Sequence, residues 1–236
     1  MRQELTFLKG LKDGIPICLG YLSVSFTFGM MAARGGLPLG IIQMISMTNL
    51  TSAGQFAGTA LVLSGGAYLE VAVTTLVINL RYMLMSLSLS QKLEPSMPRW
   101  ERALLAFGNT DEIFAVAMQQ KGYINGKYLL GLIVLPYVGW AAGTLLGATA
   151  FGALPASAVS ALNIAIYGMF IAIVVPPMRK LRPVLFTVCI SAFISCVFRF
   201  VPGLSRLSSG WVIIICAIAA SALAAVRYPV DEEAAQ

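Results

Sequence analysis

A lone arginine, Arg81, interrupts an otherwise uncharged stretch from Val71 to Gln91 that is long enough to cross a bilayer. A guanidinium at that depth costs a few kcal/mol even on lenient insertion scales, so it belongs in a bundle interior or a wet cavity. Projection at about 100° per residue separates the stretch into two faces. Leu76, Val77, Leu80, Met83, Leu84 and Leu87 form an apolar side suited to lipid. Thr74, Thr75, Asn79, Arg81, Tyr82, Ser86 and Ser88 gather opposite, with Ile78, Met85 and Leu89 among them. Two chemistries fit the guanidinium: a clamp on a ligand carboxylate, or a lock with an intramembrane acid such as Asp111. Either way Arg81 reads as lining a pathway.

The second polar feature is the interruption Thr48-Asn49-Leu50-Thr51-Ser52-Ala53-Gly54-Gln55 within apolar surroundings. Broken helices in transporters expose backbone groups there, and half-helix dipoles hold charged parts of a ligand. A zwitterion such as an amino acid suits that arrangement, because one break offers both polarities. A plain surface loop between two short helices fits the same residues equally well. The third feature is Asp111 with Glu112, in a region where acids are rare. The chain has no histidine, so a transported proton would have to ride on a carboxylate. Asn109 as N-cap with Glu112 three residues on also reads as a capping box, which would make the pair structural.

Composition narrows the class. The chain has 236 residues, 58% hydrophobic and 11% charged, with mean hydropathy +0.83. Soluble domains carry about 25% charge, so an integral membrane protein with one domain over residues 1–236 is expected. The net charge of +6 is scattered between apolar runs, which suits topology signals and not nucleic-acid binding. Without histidine, and without a nucleophile–base pair or metal set, an enzyme is not expected. Cys18, Cys189, Cys196 and Cys216 lie in apolar runs without CxxC spacing and read as small buried hydrophobes.

These residues need helices to place them. Uncharged runs predict spans at 14–33, 71–91, two within 128–178, then 183–200 and 207–226. Residues 35–69 are too long for one crossing and give two short helices or one broken one near 48–55. Residues 103–120 fit a crossing, a re-entrant segment or an interfacial helix. The basic N-terminus, the 92–102 loop, Lys121, Lys127 and the 179–182 cluster share one side if 35–69 crosses twice and 103–120 does not fully cross. The expectation is an all-α polytopic bundle of about seven spans, with six to eight allowed. Glycines at 139, 143 and 147, and again at 54 and 58, permit close helix packing. Leu37-Pro38 recurs as Leu154-Pro155, and Asn79-Leu80-Arg81-Tyr82 echoes Val197-Phe198-Arg199-Phe200. Both echoes lie half a chain apart, which suggests a weak duplication of 1–118 in 119–236.

In order along the chain, Gly29, Leu37-Pro38, Ser52-Ala53-Gly54-Gln55-Phe56, Asn79-Leu80-Arg81-Tyr82 and Thr110-Asp111-Glu112-Ile113-Phe114-Ala115 resemble the AzlC family. These are the large subunits of bacterial branched-chain amino-acid permeases. The resemblance runs from about Gly10 to the last helix and is most specific in the first 120 residues. It implies a multi-pass protein of the cytoplasmic (inner) membrane that exports leucine, isoleucine, valine and sometimes methionine. It also implies a separately encoded AzlD-type membrane subunit as partner. Many relatives have Asn-x-Arg-His where this chain has Tyr82, so any proton role of that histidine does not transfer.

The expectation is therefore a secondary exporter of branched-chain amino acids, driven by proton exchange and needing no cofactor. Asn49, Thr51, Ser52, Gly54 and Gln55 would contact the amino acid. Asn79, Arg81 and Tyr82 would line the same cavity, and Asp111 or Glu112 would carry the proton. The alternative is a membrane scaffold or assembly subunit whose partner provides the path.

Overall fold

The computed structural model describes residues 5–150, 171, 174–175, 177–204 and 207–229. Every named element among them is a helix, and the one backbone bridge joins Leu93 to Ile124. The chain divides into two compact units, Met1–Phe56 with Ile78–Asn163, and Ala57–Val77 with Ile164–Gln236.

The first unit is built on α1 (Phe7–Arg34) and α7 (Gly126–Ala150). Thr6 caps α1 by accepting from the Lys9 amide at 3.2 Å, and Asn125 accepts from the Tyr128 amide at 2.8 Å ahead of α7. Glycines let the two backbones touch. A methyl on Gly10 would meet Tyr128 and Leu132, one on Gly139 would meet Cys18, and one on Gly147 would meet Phe26. Paired numbers rise together along both helices, so α1 and α7 run parallel. The four-residue glycine spacing thus does the packing it suggested.

Between them lie two helical hairpins. The first is α2 (Leu39–Thr48) and α3 (Ser52–Leu63), and the second is α5 (Arg99–Ala106) and α6 (Asp111–Gln119). At 1.5 Å per residue these helices measure about 12–18 Å, roughly half of a hydrocarbon core. Contacts give their directions. Gln43 of α2 donates to the Ala141 carbonyl, and four residues later Met47 accepts from Tyr137, so α2 descends α7 from its C-terminal end. Ser52 then sits level with Tyr21, and Phe56 stacks on Phe28, two turns further along α1. The chain has turned back toward the face it came from.

The second hairpin enters from the opposite face. Helix α4 (Tyr68–Lys92) ends where Leu93 bridges Ile124, just before α7 begins. Arg102 of α5 holds the Glu94 and Met97 carbonyls there, at 2.8 and 3.1 Å. Asn109 has climbed to Ser86, Asp111 meets Arg81, and Met118 has returned to Lys92. Residues 103–120 therefore run up along α4 and double back to its C-terminal end. Residues 35–69 contain two short helices that meet near residues 48–52, one of the two arrangements expected there.

In the second unit, α8 (Arg182–Phe200) and α9 (Ser209–Arg227) pack with Phe186 edge-on to Tyr228 at 5.7 Å, hence antiparallel. Buried Glu70 accepts from Ser208 at the start of α9. Five helices among the described residues are long and apolar enough to cross a membrane: α1, α4, α7, α8 and α9. The expected second helix of 128–178 falls largely outside the described residues. Cys216 is buried as expected, but Cys189 and Cys196 are exposed on α8, which has no buried residue.

Candidate functional site

Both hairpin tips reach the same depth. Ser52 opens α3 and Thr110 caps α6, so two helix N-termini with unsatisfied amides converge on one hollow. It is lined by Tyr21, Leu50, Ser52, Tyr82, Thr110, Asp111, Glu112 and Trp140. Its volume is about 10 Å³, room for about one water and none for an amino acid.

Arg81 pairs with Asp111 at 2.7 Å (Nη1 to Oδ2) and donates to the Tyr82 hydroxyl at 3.1 Å. The two charged side chains are 40% and 35% exposed. Arg81 lies away from the lipid-suited row of Leu76, Leu80, Met83, Leu84 and Leu87, all of which are exposed on α4. The ion pair thus opens on a side other than the apolar one.

Glu112 has a different set of partners. The Tyr21 hydroxyl donates to Glu112 Oε2 at 2.6 Å and lies 2.5 Å from Thr110 Oγ1. A phenol carries one proton, so the Thr110 hydroxyl completes the chain by donating to Tyr21. The capping box does not form: Thr110 takes the N-cap position, Asn109 binds Ser86, and Glu112 turns to Tyr21.

The remaining expected residues cluster at the first tip. Asn49 ends α2 and accepts weakly from Thr51 at 3.3 Å. Gly54 lies under the Asn79 amide, where a methyl would come within 2.7 Å of Asn79 Oδ1. Gln55 is buried and accepts from the Trp140 indole at 3.2 Å. Gln55 Nε2, Asn79 Oδ1 and Arg81 Nε are buried and make no hydrogen bond among the described residues. Such orphaned groups call for a polar ligand or water. Of the expected residues, Ser52, Tyr82, Asp111 and Glu112 line the hollow; Arg81, Asn79, Gly54 and Gln55 back it; Asn49 and Thr51 form its tip. Sequence reasoning missed Tyr21, Thr110 and Trp140, which join α1, α6 and α7. A buried phenol or indole needs a polar partner, and that was the available signal.

Residues 16–154 match the sequence model of the AzlC protein family. The chain belongs to the AzlC family. It is similar to the inner membrane protein YgaZ of Escherichia coli, 32% identical over 148 residues, covering 61% of this chain and 60% of that protein. An uncharacterized membrane protein of Archaeoglobus fulgidus is 33% identical over 181 residues, 76% of this chain and 79% of the relative. One from Helicobacter pylori strain J99 is 29% identical over 148 residues, 60% and 64% of the two chains. The match to the Escherichia coli protein thus spans less than two thirds of its length. No solved structure matches the chain. Family, relatives and the five helices long and apolar enough to cross a membrane make this AzlC-family chain a multi-pass membrane protein.

Proposed function

We propose that the chain is the large subunit of a secondary transporter that exports branched-chain amino acids, leucine, isoleucine and valine with methionine, in exchange for protons. The observation that carries the reading is the Arg81–Asp111 pair, held between the tips of two half-length hairpins that enter from opposite faces. Such a site can be opened to one face by moving one hairpin while the other stays closed. Arg81 is placed to take the ligand carboxylate in its planar fork, and the carboxylates to take its ammonium. Ser52, Gln55 and Asn79 offer neutral polar groups, while Leu50 and the Trp140 ring suit an aliphatic side chain. Asp111 and Glu112 are the protonatable groups.

Orientation follows from charge. Lys9, Lys12, Lys92, Arg99, Arg102, Lys121 and Lys127 belong to the end where α1 and α7 start and α4 finishes, which the positive-inside rule places in the cytoplasm of an inner-membrane protein. A small AzlD-type subunit is the partner this reading includes. The test is efflux of labelled leucine, isoleucine and valine from proteoliposomes, with and without the co-expressed small subunit. Export that needs this chain and an opposing proton gradient supports the proposal. Flux that survives with the small subunit alone would make this chain a scaffold.

A further inference from the structure

We propose that Asp111 and Glu112 share a single proton in the empty site and that the ammonium group of the substrate displaces it, one for one. This rests on the exporter reading above and deepens it by naming the competing ligands.

The charge count at the tips motivates it. Three ionisable groups lie together, one cation and two adjacent carboxylates, and they are not equivalent. Asp111 has a counter-ion in Arg81 at 2.7 Å. Among the described residues Glu112 accepts from the Tyr21 hydroxyl, at 2.6 Å, and pairs with no cation. Two carboxylates on one hollow, with a single cation that pairs with Asp111, leave one negative charge uncompensated where there is room for a single water. A proton shared by the two acids is the smallest compensation, and its site belongs to the pair and not to either residue. The groups facing the pair are Arg81 and Tyr82 of α4, Tyr21 of α1, Ser52 of α3 and Trp140 of α7. Of these groups Arg81 alone is positively charged.

An α-amino acid brings both missing partners. Its carboxylate takes Arg81 from Asp111, and its ammonium then faces two ionised carboxylates that no longer need a proton. The proton leaves to water as the zwitterion enters, and no bond beyond O–H is broken. Loading requires the tips to part, since the hollow seen here is too small for the ligand. Two consequences separate this from simple carboxylate binding. The ammonium group is essential, so the keto acid with the same aliphatic chain does not release a proton. Substrate affinity rises about tenfold per pH unit wherever the pair is protonated, as linkage requires for one displaced proton.

The experiment measures proton release in weakly buffered detergent solution on adding leucine to the protein co-purified with its small subunit, with leucine affinity recorded across pH by equilibrium binding. Wild type should release one proton per leucine bound and none with the keto acid. Glu112→Gln keeps the shape and the Arg81–Asp111 pair; it should bind leucine with no proton release and a flat pH profile. Asp111→Asn, which leaves Glu112 as the only acid beside Arg81, should flatten the profile as well. Wild-type leucine binding without proton release, or an unchanged pH slope in Glu112→Gln, overturns the competition while leaving the exporter reading intact. Failure of wild type to bind any branched-chain amino acid, in protein that still unfolds cooperatively, overturns both.

Discussion

The site is made by polar atoms that meet from distant parts of the chain: Arg81 with Asp111, Tyr21 with Glu112 and Trp140 with Gln55. Arg81 and Asp111 were legible in the sequence because charges are scarce there, and each stands out against its surroundings. Tyr21 and Trp140 were not, because their partners Glu112 and Gln55 are far away along the chain and aromatic residues are ordinary in apolar helices. The capping box at Asn109 was a misreading of local pattern: tertiary partners claimed Asn109 and Glu112 first. Two predictions follow from these contacts. Tyr21→Phe removes the phenol that donates to Glu112 and should lower stability by about 1.5–3 kcal/mol, the worth of a hydrogen bond to a charged group. Thermal unfolding in detergent checks this, and the Trp140 contact at 5.1 Å is kept by the phenylalanine ring. For the ion pair, a double-mutant cycle on Arg81→Ala and Asp111→Ala should give a coupling of only about 1 kcal/mol, because both side chains are over a third exposed. Each single change should nonetheless abolish leucine efflux, since the charge is needed for the ligand and not for the fold.

Among the elements, length and hydropathy register how much apolar chain there is, not which face it enters from. That is why residues 35–69 fitted two crossings and 103–120 fitted three descriptions. The direction came from long-range contacts, Gln43 with Ala141 and Asn109 with Ser86, which no local window contains. The glycine spacing on α7 was informative because close approach leaves a local signature. A side chain at Gly147 would overlap the Phe26 backbone, which cannot step aside. Gly147→Val should therefore abolish the yield of folded protein by size-exclusion chromatography. Gly20 on α1 has nothing within 4 Å, so Gly20→Ala should be neutral or stabilise by about 0.5–1 kcal/mol through helix propensity.

The whole molecule is read as a membrane protein from composition alone, and that reading holds in the five long apolar helices. The span count does not transfer so simply, because a half-length hairpin uses as much apolar sequence as a crossing while leaving the chain on its original side. Sidedness follows and is measurable. In a variant with its four cysteines replaced by serine, Ser96→Cys and Lys121→Cys should react with an impermeant thiol reagent from one face of the membrane, the cytoplasmic one. Gly35→Cys, at the other end of α1, should react from the opposite face. Labelling of positions 96 and 121 from different faces would mean that α6 crosses.

The central claim is that the two tips meet at mid-depth and must separate for a solute to pass. Ser52→Cys with Thr110→Cys places one thiol on each tip, on the wall of the same hollow. A short bifunctional thiol reagent should join them, stop leucine efflux from proteoliposomes, and release it again if the linker is cleavable. Efflux that continues at the uncrosslinked rate through fully joined tips would contradict the account.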